Sequence, residues 1–192
     1  MNKRQKRGMI LLAVGLVLVL GGLGIHLMQL QEDAAAGKTA TILLQQLDYK
    51  LLPTDEESPD PSLPGKKYMD YTLIGSIRIP SVEIQLPVLD QWNEDMLKVA
   101  PCRYAGSLSG NDMVIMGHNY KTHFNNLNKI KIGTEVEFEN TTGKVFRYRV
   151  AKIEHLHSTE GEKLPTKEYP LTIFTCKPGG LDRIVVRCES LE

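Results

Sequence analysis

The chain has 192 residues, and its 23 Lys and Arg are balanced by 23 Asp and Glu, so that its formal net charge is zero. An apolar fraction of 42% is ordinary for a globular protein, and the length is enough for one domain with appended segments. Without a basic field, nucleic acid is not expected as a partner. Three cysteines cannot all pair within one chain, and no Cys-x-x-Cys spacing occurs, which argues against a zinc ribbon or a thioredoxin-type motif. No cofactor and no metal are expected.

The N-terminal segment is typical of a membrane anchor. A basic tip at residues 1–7 precedes an uncharged run at residues 8–30 that consists mainly of Ile, Leu, Val and Gly. Roughly 20 apolar residues in a helix are enough to cross the hydrocarbon core of a bilayer. Because positive charge stays in the cytoplasm, we expect a single pass through the cell membrane, with the N-terminus inside and the remainder of the chain extracellular. The alternative is a cleaved secretory signal with Ala34-Ala35-Ala36 at the cleavage site, but the apolar run is longer than a usual signal core.

Residues 31–70 connect the anchor to the rest of the chain. Apolar residues recur at helical spacing within Ala34–Leu52, which predicts a juxtamembrane helix. Four prolines among Asp, Glu and Ser follow in Pro53–Gly65, and proline at this density prevents helix formation and favours extended chain. We therefore expect a stalk between the anchor and a folded domain.

Residues 71–192 have the pattern of an all-β domain. Apolar residues alternate with other residues in several short runs, as in half-buried strands: Ile74–Pro80, Val82–Leu86, Thr134–Glu139 and Phe146–Val150. Met113–Met116 is predicted to be a short, wholly apolar strand. Two short helical segments interrupt them, one at Trp92–Leu97 with Asn93 as its N-cap and one at His123–Lys131, and Leu156–Tyr169 is predicted to be a loop. Seven or so short strands with long connections indicate a closed barrel or a sandwich.

The last stretch of the domain is predicted to form a strand, a turn and a second strand. The apolar run Leu171–Phe174 ends at Cys176, Pro178-Gly179-Gly180 supplies turn residues, and Arg183 begins the next strand. Antiparallel pairing would bring the thiol close to the guanidinium, which favours thiolate and can bind an oxyanion. Arg187 is a second candidate cation, because strand alternation puts it on the same face as Arg183. The other interpretation is a buried cysteine and a solvated arginine.

Thiol chemistry also needs a proton-transfer partner, and five histidines are available: His26, His118, His123, His155 and His157. His26 lies in the anchor, and the last two precede the predicted loop, where solvation is expected. His118 ends a short apolar strand, so it can meet Cys176 at one rim of a barrel. Together with Arg183 these side chains would supply proton transfer, a nucleophile and an oxyanion partner. His123 is the competing histidine.

These motifs resemble the sortases, the cysteine transpeptidases of the Gram-positive cell surface. The family signature Thr-Leu-x-Thr-Cys, followed by a turn and an Arg, is similar to Thr172-Ile173-Phe174-Thr175-Cys176 with Arg183. Gly117-His118-Asn119 fits the histidine motif, and Ile74–Pro80 resembles the opening strand of the family. The order of anchor, stalk, barrel, histidine, cysteine and arginine agrees as well. The resemblance covers about Tyr71 to Glu189.

The resemblance implies a closed eight-stranded β-barrel with short helices and a two-step reaction. Cys176 would attack the Thr–Gly carbonyl of a Leu-Pro-x-Thr-Gly-like sorting signal on a surface protein, His118 would protonate the leaving amine, and Arg183 would bind the substrate or the oxyanion. Thr175 would help to shape the substrate groove. An amine of a peptidoglycan precursor or a pilin lysine would then resolve the thioacyl intermediate.

Other interpretations remain open beside this one. They are a catalytically silent surface scaffold with the same barrel and a hydrolytic cysteine peptidase, and within the family the subclass stays open between class D-like and B-like. A disulfide between Cys102 and Cys188 is one alternative in an oxidising exterior, and two free thiols are the other.

Overall fold

The computed structural model describes residues 3–48 and 63–191 as one long helix and a barrel. Most of the predicted Pro-rich stalk lies outside the described residues. Helix α1 spans Lys3–Asp48, and helix α2 spans Glu94–Val99. Three single turns of 3-10 helix are formed by Pro80–Val82, Asn125–Lys129 and Gly161–Lys163. The nine strands are β1 Lys66–Tyr68, β2 Tyr71–Ile79, β3 Ile84–Leu89, β4 Cys102–Ala105, β5 Met113–Met116, β6 Glu135–Asn140, β7 Val145–His157, β8 Leu171–Cys176 and β9 Asp182–Ser190.

Eight of these strands close into a barrel. The hydrogen-bonded order is β2-β3-β4-β5-β8-β9-β7-β6, and the pairing of β6 with β2 joins the two ends. Strand β1 adds only a short hairpin to β2. Closure leaves no long unpaired edge among these strands, and such an edge would otherwise be a site for aggregation. The predicted all-β fold class and the eight-stranded barrel are confirmed.

Strand alternation fills the barrel with apolar side chains. Ile77 and Ile79 on β2 and Val136 and Phe138 on β6 are buried in the same interior cluster, while Arg78 between the two isoleucines is exposed. The predicted helical turn is present as α2, and its N-cap is confirmed because Asn93 Oδ1 accepts a hydrogen bond of 2.8 Å from the Met96 amide. The predicted helix at His123–Lys131 is shorter than expected, a 3-10 turn over Asn125–Lys129.

Helix α1 has two halves with different surroundings. The apolar window of its first half is not buried against the described chain, and its length and composition would let it cross a membrane. In the second half, Ala36, Ala40 and Leu43 are buried, at spacings of four and three residues that form one face of a helix. This face packs on β2, β3 and α2. The helix predicted over Ala34–Leu52 is therefore present as far as Asp48 and continues the apolar segment without a break, while residues 49–52 lie outside the described residues. Its position beside a membrane stays a prediction.

Candidate active site

Strand pairing brings three of the predicted site residues to one rim of the barrel. Strand β8 lies between β5, to which it is parallel, and β9, to which it is antiparallel. Cys176 is the direct cross-strand partner of Arg183. On the other side, Met116 pairs with Phe174, and the same register continued by two residues puts His118 level with Cys176. The thiol thus lies between the strand ends that carry the imidazole and the guanidinium.

The turn after Cys176 is closed by backbone hydrogen bonds. The Lys177 amide donates to the carbonyl of Asp182 at 2.7 Å, and the Gly180 amide donates to the carbonyl of Lys177 at 2.9 Å. Gly179 and Gly180 have φ of 91° and 73°, a region that glycine adopts without strain. The Pro and Gly residues that predict a turn therefore form one, and this turn holds Cys176 opposite Arg183. The Cys176 side chain is half-buried beside the turn.

His118 lies just past the last residue of β5 and is half-buried. Its ring stacks on Tyr120, with the ring centroids 4.7 Å apart. Burial lowers the pKa of His118 below its usual value; the carboxylates of Glu94 and Glu32 oppose this shift, and Lys98 adds to it. The imidazole is therefore predominantly neutral at pH 7, so it can accept a proton from a thiol.

Buried contacts hold the strand end before His118. The Gly117 amide donates to the carbonyl of Phe174 at 3.1 Å, and the Thr175 hydroxyl donates to the carbonyl of Gly117 at 2.8 Å. A Cβ at Gly117 would lie 2.4 Å from Cδ2 of Phe124, so only glycine fits there. Because the Thr175 side chain is fully buried in this contact, it acts on the site from beneath the surface. Its predicted role in shaping a substrate groove stays a prediction.

The two candidate arginines have different environments. Arg187 is buried, and its guanidinium donates to Glu154, to Thr172 and to the carbonyls of Lys163 and Leu164 at 2.5–3.0 Å. In Arg183, Nε and Nη1 make no hydrogen bond within the described chain.

The guanidinium carbon of Arg183 lies 5.7 Å from the ring centroid of Phe174. The cation beside the thiol is thus available to a ligand, while the hydrogen-bonding groups of Arg187 are used to hold the connection between β7 and β8.

The remaining histidines lie away from the thiol or are enclosed. His155 and His157 are exposed on β7, as predicted, and His26 lies in the apolar half of α1. His123 is only 2% exposed, and burial lowers its pKa to about 4. His118 lowers that pKa further, whereas the Asp33 carboxylate and the backbone at Val99 and Ala36 act in the opposite direction.

The two other cysteines are free thiols in separate apolar clusters. Cys102 lies with Leu89 and Leu97, whereas Cys188 lies in the barrel interior. The alternative of a disulfide between them is therefore wrong. Burial raises the pKa of Cys102 to about 12 and raises that of Cys188 as well, so both are protonated and unreactive.

An aromatic row near Arg183 carried no signal in the sequence. Trp92 stacks on Tyr104 with ring centroids 5.5 Å apart, and Tyr104 meets the edge of Phe174 at 5.3 Å. The three residues lie on three separate segments of the chain, so no local spacing in the sequence predicts their contact. Within the described residues, no group of three or more His, Cys, Asp or Glu side chains could hold a metal ion.

A half-exposed thiol flanked by a strand-end imidazole and an unengaged guanidinium is the arrangement of a cysteine-nucleophile acyl-transfer enzyme built on a β-barrel. The family comparison gives the same class, since a model described as Sortase domain matches residues 77–191, more than half of the chain. The chain belongs to the sortase family, whose members are cysteine transpeptidases.

Solved structures of several sortase classes share the fold. Sortase C1 of Streptococcus suis is 25% identical, with 62% of this chain and 73% of that chain covered and a TM-score of 0.53. The sortase D5 transpeptidase of Clostridium perfringens is 17% identical, with 83% and 99% covered and a TM-score of 0.59. Sortase A of Listeria monocytogenes is 21% identical, with 62% and 88% covered and a TM-score of 0.55. A comparison with curated protein sequences finds no match.

Proposed function

We propose that the protein is a membrane-anchored transpeptidase that cleaves a Leu-Pro-x-Thr-Gly-like sorting signal between Thr and Gly and joins the Thr carbonyl to a second amine. The observation that carries the proposal is the position of Cys176 between His118 and Arg183 at one rim of the barrel. Membership of the sortase family supports acyl transfer as the reaction type.

In the first half-reaction, Cys176 Sγ bonds to the Thr carbonyl carbon and its proton passes to neutral His118. The negative charge that develops on the carbonyl oxygen is stabilised by the Arg183 guanidinium. Collapse of the tetrahedral intermediate breaks the carbon–nitrogen bond, and the imidazolium returns the proton to the leaving glycine amine. A thioester at Cys176 remains.

In the second half-reaction, an amine attacks the thioester carbon and gives its proton to His118. The carbon–sulfur bond then breaks, and the sulfur regains a proton from the imidazolium. Water would resolve the same thioester by hydrolysis, so transfer requires that the amine reach the site ahead of water. An amine of a peptidoglycan precursor or a pilin lysine fits the extracellular setting.

The exposed apolar half of α1 supports anchoring in the membrane. Residues 8–30 form a helix about 34 Å long at 1.5 Å per residue, enough for a hydrocarbon core of about 30 Å. The basic residues before it favour a cytoplasmic N-terminus. Glu32 and Asp33 follow within one helical turn, so the barrel that packs on the next turns would lie close to the membrane surface.

The test uses the full chain in detergent micelles, incubated with sorting-signal peptides and a glycine-based amine. We expect a thioacyl adduct by intact mass and a transfer product, both absent in Cys176→Ala. Cys102→Ala is the matched control and should keep the adduct, because the Cys102 thiol is fully buried and cannot meet a peptide. An adduct that yields only hydrolysis would indicate a peptidase, and the absence of adduct with every sorting peptide would indicate a silent scaffold. Retention in the membrane after alkaline carbonate washing tests the anchor.

A further inference from the structure

The turn that follows His118 is bonded to itself at its later residues. The His123 and Asn125 amides donate to the carbonyl of Tyr120 at 3.0 and 3.1 Å, and the Phe124 amide donates to the carbonyl of His118 at 3.1 Å. His118 itself lies beyond the last paired residue of β5, whereas Cys176 and Arg183 are fixed in a strand ladder. The position of the imidazole therefore depends on what holds this turn.

The first amides of the turn bind a carboxylate from the N-terminal helix. The Lys121 amide donates to Asp33 Oδ2 at 3.1 Å, and the Thr122 amide donates to Asp33 Oδ1 at 3.0 Å. The Thr122 hydroxyl lies 2.6 Å from Asp33 Oδ1 and 2.9 Å from the Asp33 carbonyl oxygen. Burial would raise the pKa of Asp33, but the hydrogen bonds from Thr122 and Lys121 outweigh it and lower the pKa, so the carboxylate is ionised when it holds the turn.

The helix is shaped for this contact. A Cβ at Gly37, one turn after Asp33, would lie 2.6 Å from Cγ2 of Thr122, so a larger residue would force the helix away from the turn. Ala36, on the same turn of α1, is buried, and so is His123 at the end of the turn that Asp33 binds. The contact between α1 and the turn that carries His118 therefore extends over about one and a half helical turns, from Asp33 to Gly37.

From these contacts we infer that Asp33 is a positioning residue for the proposed reaction, because its carboxylate fixes the turn that sets the place of His118 relative to Cys176. The inference rests on the proposed function for its kinetic consequence. It also links the segment that enters the membrane to the site, since Asp33 lies three residues past the apolar run.

The surroundings of His118 give a readout that separates positioning from charge. The titratable and charged groups facing it are Glu32 on α1, Glu94 and Lys98 on α2, Cys176 on β8, and Tyr120 and His123 on its own turn. Loss of the Asp33 tether would solvate the ring and let the pKa of His118 rise towards its usual value, because burial is the main cause of its depression. Loss of the exposed Glu32 carboxylate, which favours the charged ring, would lower that pKa instead.

The experiment compares Asp33→Ala with its neighbour Glu32→Ala in the full chain in detergent micelles, using thioacyl formation and transfer as the activity. We expect Asp33→Ala to lower kcat by about 10- to 100-fold with little change in KM, since a misplacement of about 1 Å can cost that much. Glu32→Ala should keep the kcat of the parent. The His118 pKa, followed by NMR, should rise in Asp33→Ala and fall in Glu32→Ala.

A second pair of variants keeps the test independent of any folding defect at Asp33. Thr122→Val removes the hydroxyl and should lose activity in the same sense, while Thr122→Ser restores most of it. Equal kcat for Asp33→Ala and Glu32→Ala, or a fall of the His118 pKa in both, would overturn the inference. If the parent chain forms no thioacyl adduct, the proposed function fails, whereas the opposite pKa shifts at His118 still decide whether Asp33 positions the ring.

Discussion

Arg183 and Arg187 lie four residues apart on the same strand and the same face, yet their surroundings differ. We expect Arg187→Met to destabilise the domain without a specific effect on chemistry. Arg183→Met should abolish most of the activity and leave stability nearly unchanged. Methionine is used at both positions because it keeps much of the length and apolar stem of arginine.

The expected loss of stability follows from the hydrogen-bond partners that each substitution leaves without a donor. Arg187 is 3% exposed, and its loss leaves the buried carbonyl of Leu164 and the partly buried carbonyl of Lys163 without their donor. Glu154 keeps Lys152 at 2.7 Å. Each buried acceptor that loses its donor costs about 1–3 kcal/mol, so losing both should cost about 3 kcal/mol. A loss of about 3 kcal/mol corresponds to a fall in Tm of roughly 6–12 °C.

Arg183 offers no comparable contact to lose. Its nearest described interaction is with the ring of Phe174, and a cation–π contact of a partly buried arginine contributes about 0.5–2 kcal/mol. Removing a donor that stabilises a developing oxyanion lowers kcat by about 100- to 1,000-fold. The same substitution at two neighbouring strand positions should therefore separate stability from catalysis.

The assay is thermal unfolding of both variants in detergent, followed by circular dichroism, together with thioacyl formation at a temperature where both are folded. A fall of several degrees in Tm for Arg183→Met with full stability of Arg187→Met would refute the reasoning. So would a folded Arg187→Met that loses activity as completely as Arg183→Met.

Three further results are expected. The acid limb of kcat/KM should have its midpoint below 6.5, because burial lowers the pKa of His118 and activity is lost as the pH falls through it; a midpoint above 6.5 in the pH profile would contradict this. A thiol reagent should label Cys176 alone in the folded chain and also Cys102 and Cys188 after denaturation; early labelling of either buried thiol would show that the cluster around it opens. Folding lowers the pKa of His123 from 6.5 to about 4, so the unfolded chain binds an extra proton between these pH values, and the free energy of unfolding should fall by about 3 kcal/mol as the pH drops from 6.5 to 4. The variant His123→Phe should lack this part of the pH dependence of unfolding. An unchanged slope in the variant would disprove the expectation.

Much of the site is predictable because its geometry is local. Cys176 and Arg183 are joined across a five-residue turn, residues 177–181, whose Pro and Gly residues encode the hairpin, so local spacing predicts their pairing. The alternation of Ile77 and Ile79 likewise indicates strand β2 and its buried face. Such features depend on neighbours in the chain, which a sequence displays directly.

What could not be predicted depends on contacts between distant segments. Asp33 and Thr122 are 89 residues apart. In the sequence, an aspartate just after an apolar run indicates only the polar end of the apolar segment. From the sequence, Gly37 is only a weak helix former. The structure shows why glycine fits there, since a Cβ would collide with Thr122. The parallel pairing of β5 with β8, which brings His118 beside Cys176, also joins strands more than 50 residues apart, so no local spacing encodes it.

The three site residues are therefore not held with equal firmness. Cys176 and Arg183 share one ladder of two strands, so thermal motion displaces them together and preserves their separation. His118 follows the end of its strand, and a small rotation of the turn after it would change the distance over which the proton must pass. Proton transfer needs an approach of about 2.6–3.2 Å between heavy atoms, so the catalytic geometry is most sensitive at this residue. The hydrogen bonds from the Lys121 and Thr122 amides to Asp33 of α1 restrain this turn and so limit the rotation that would displace His118.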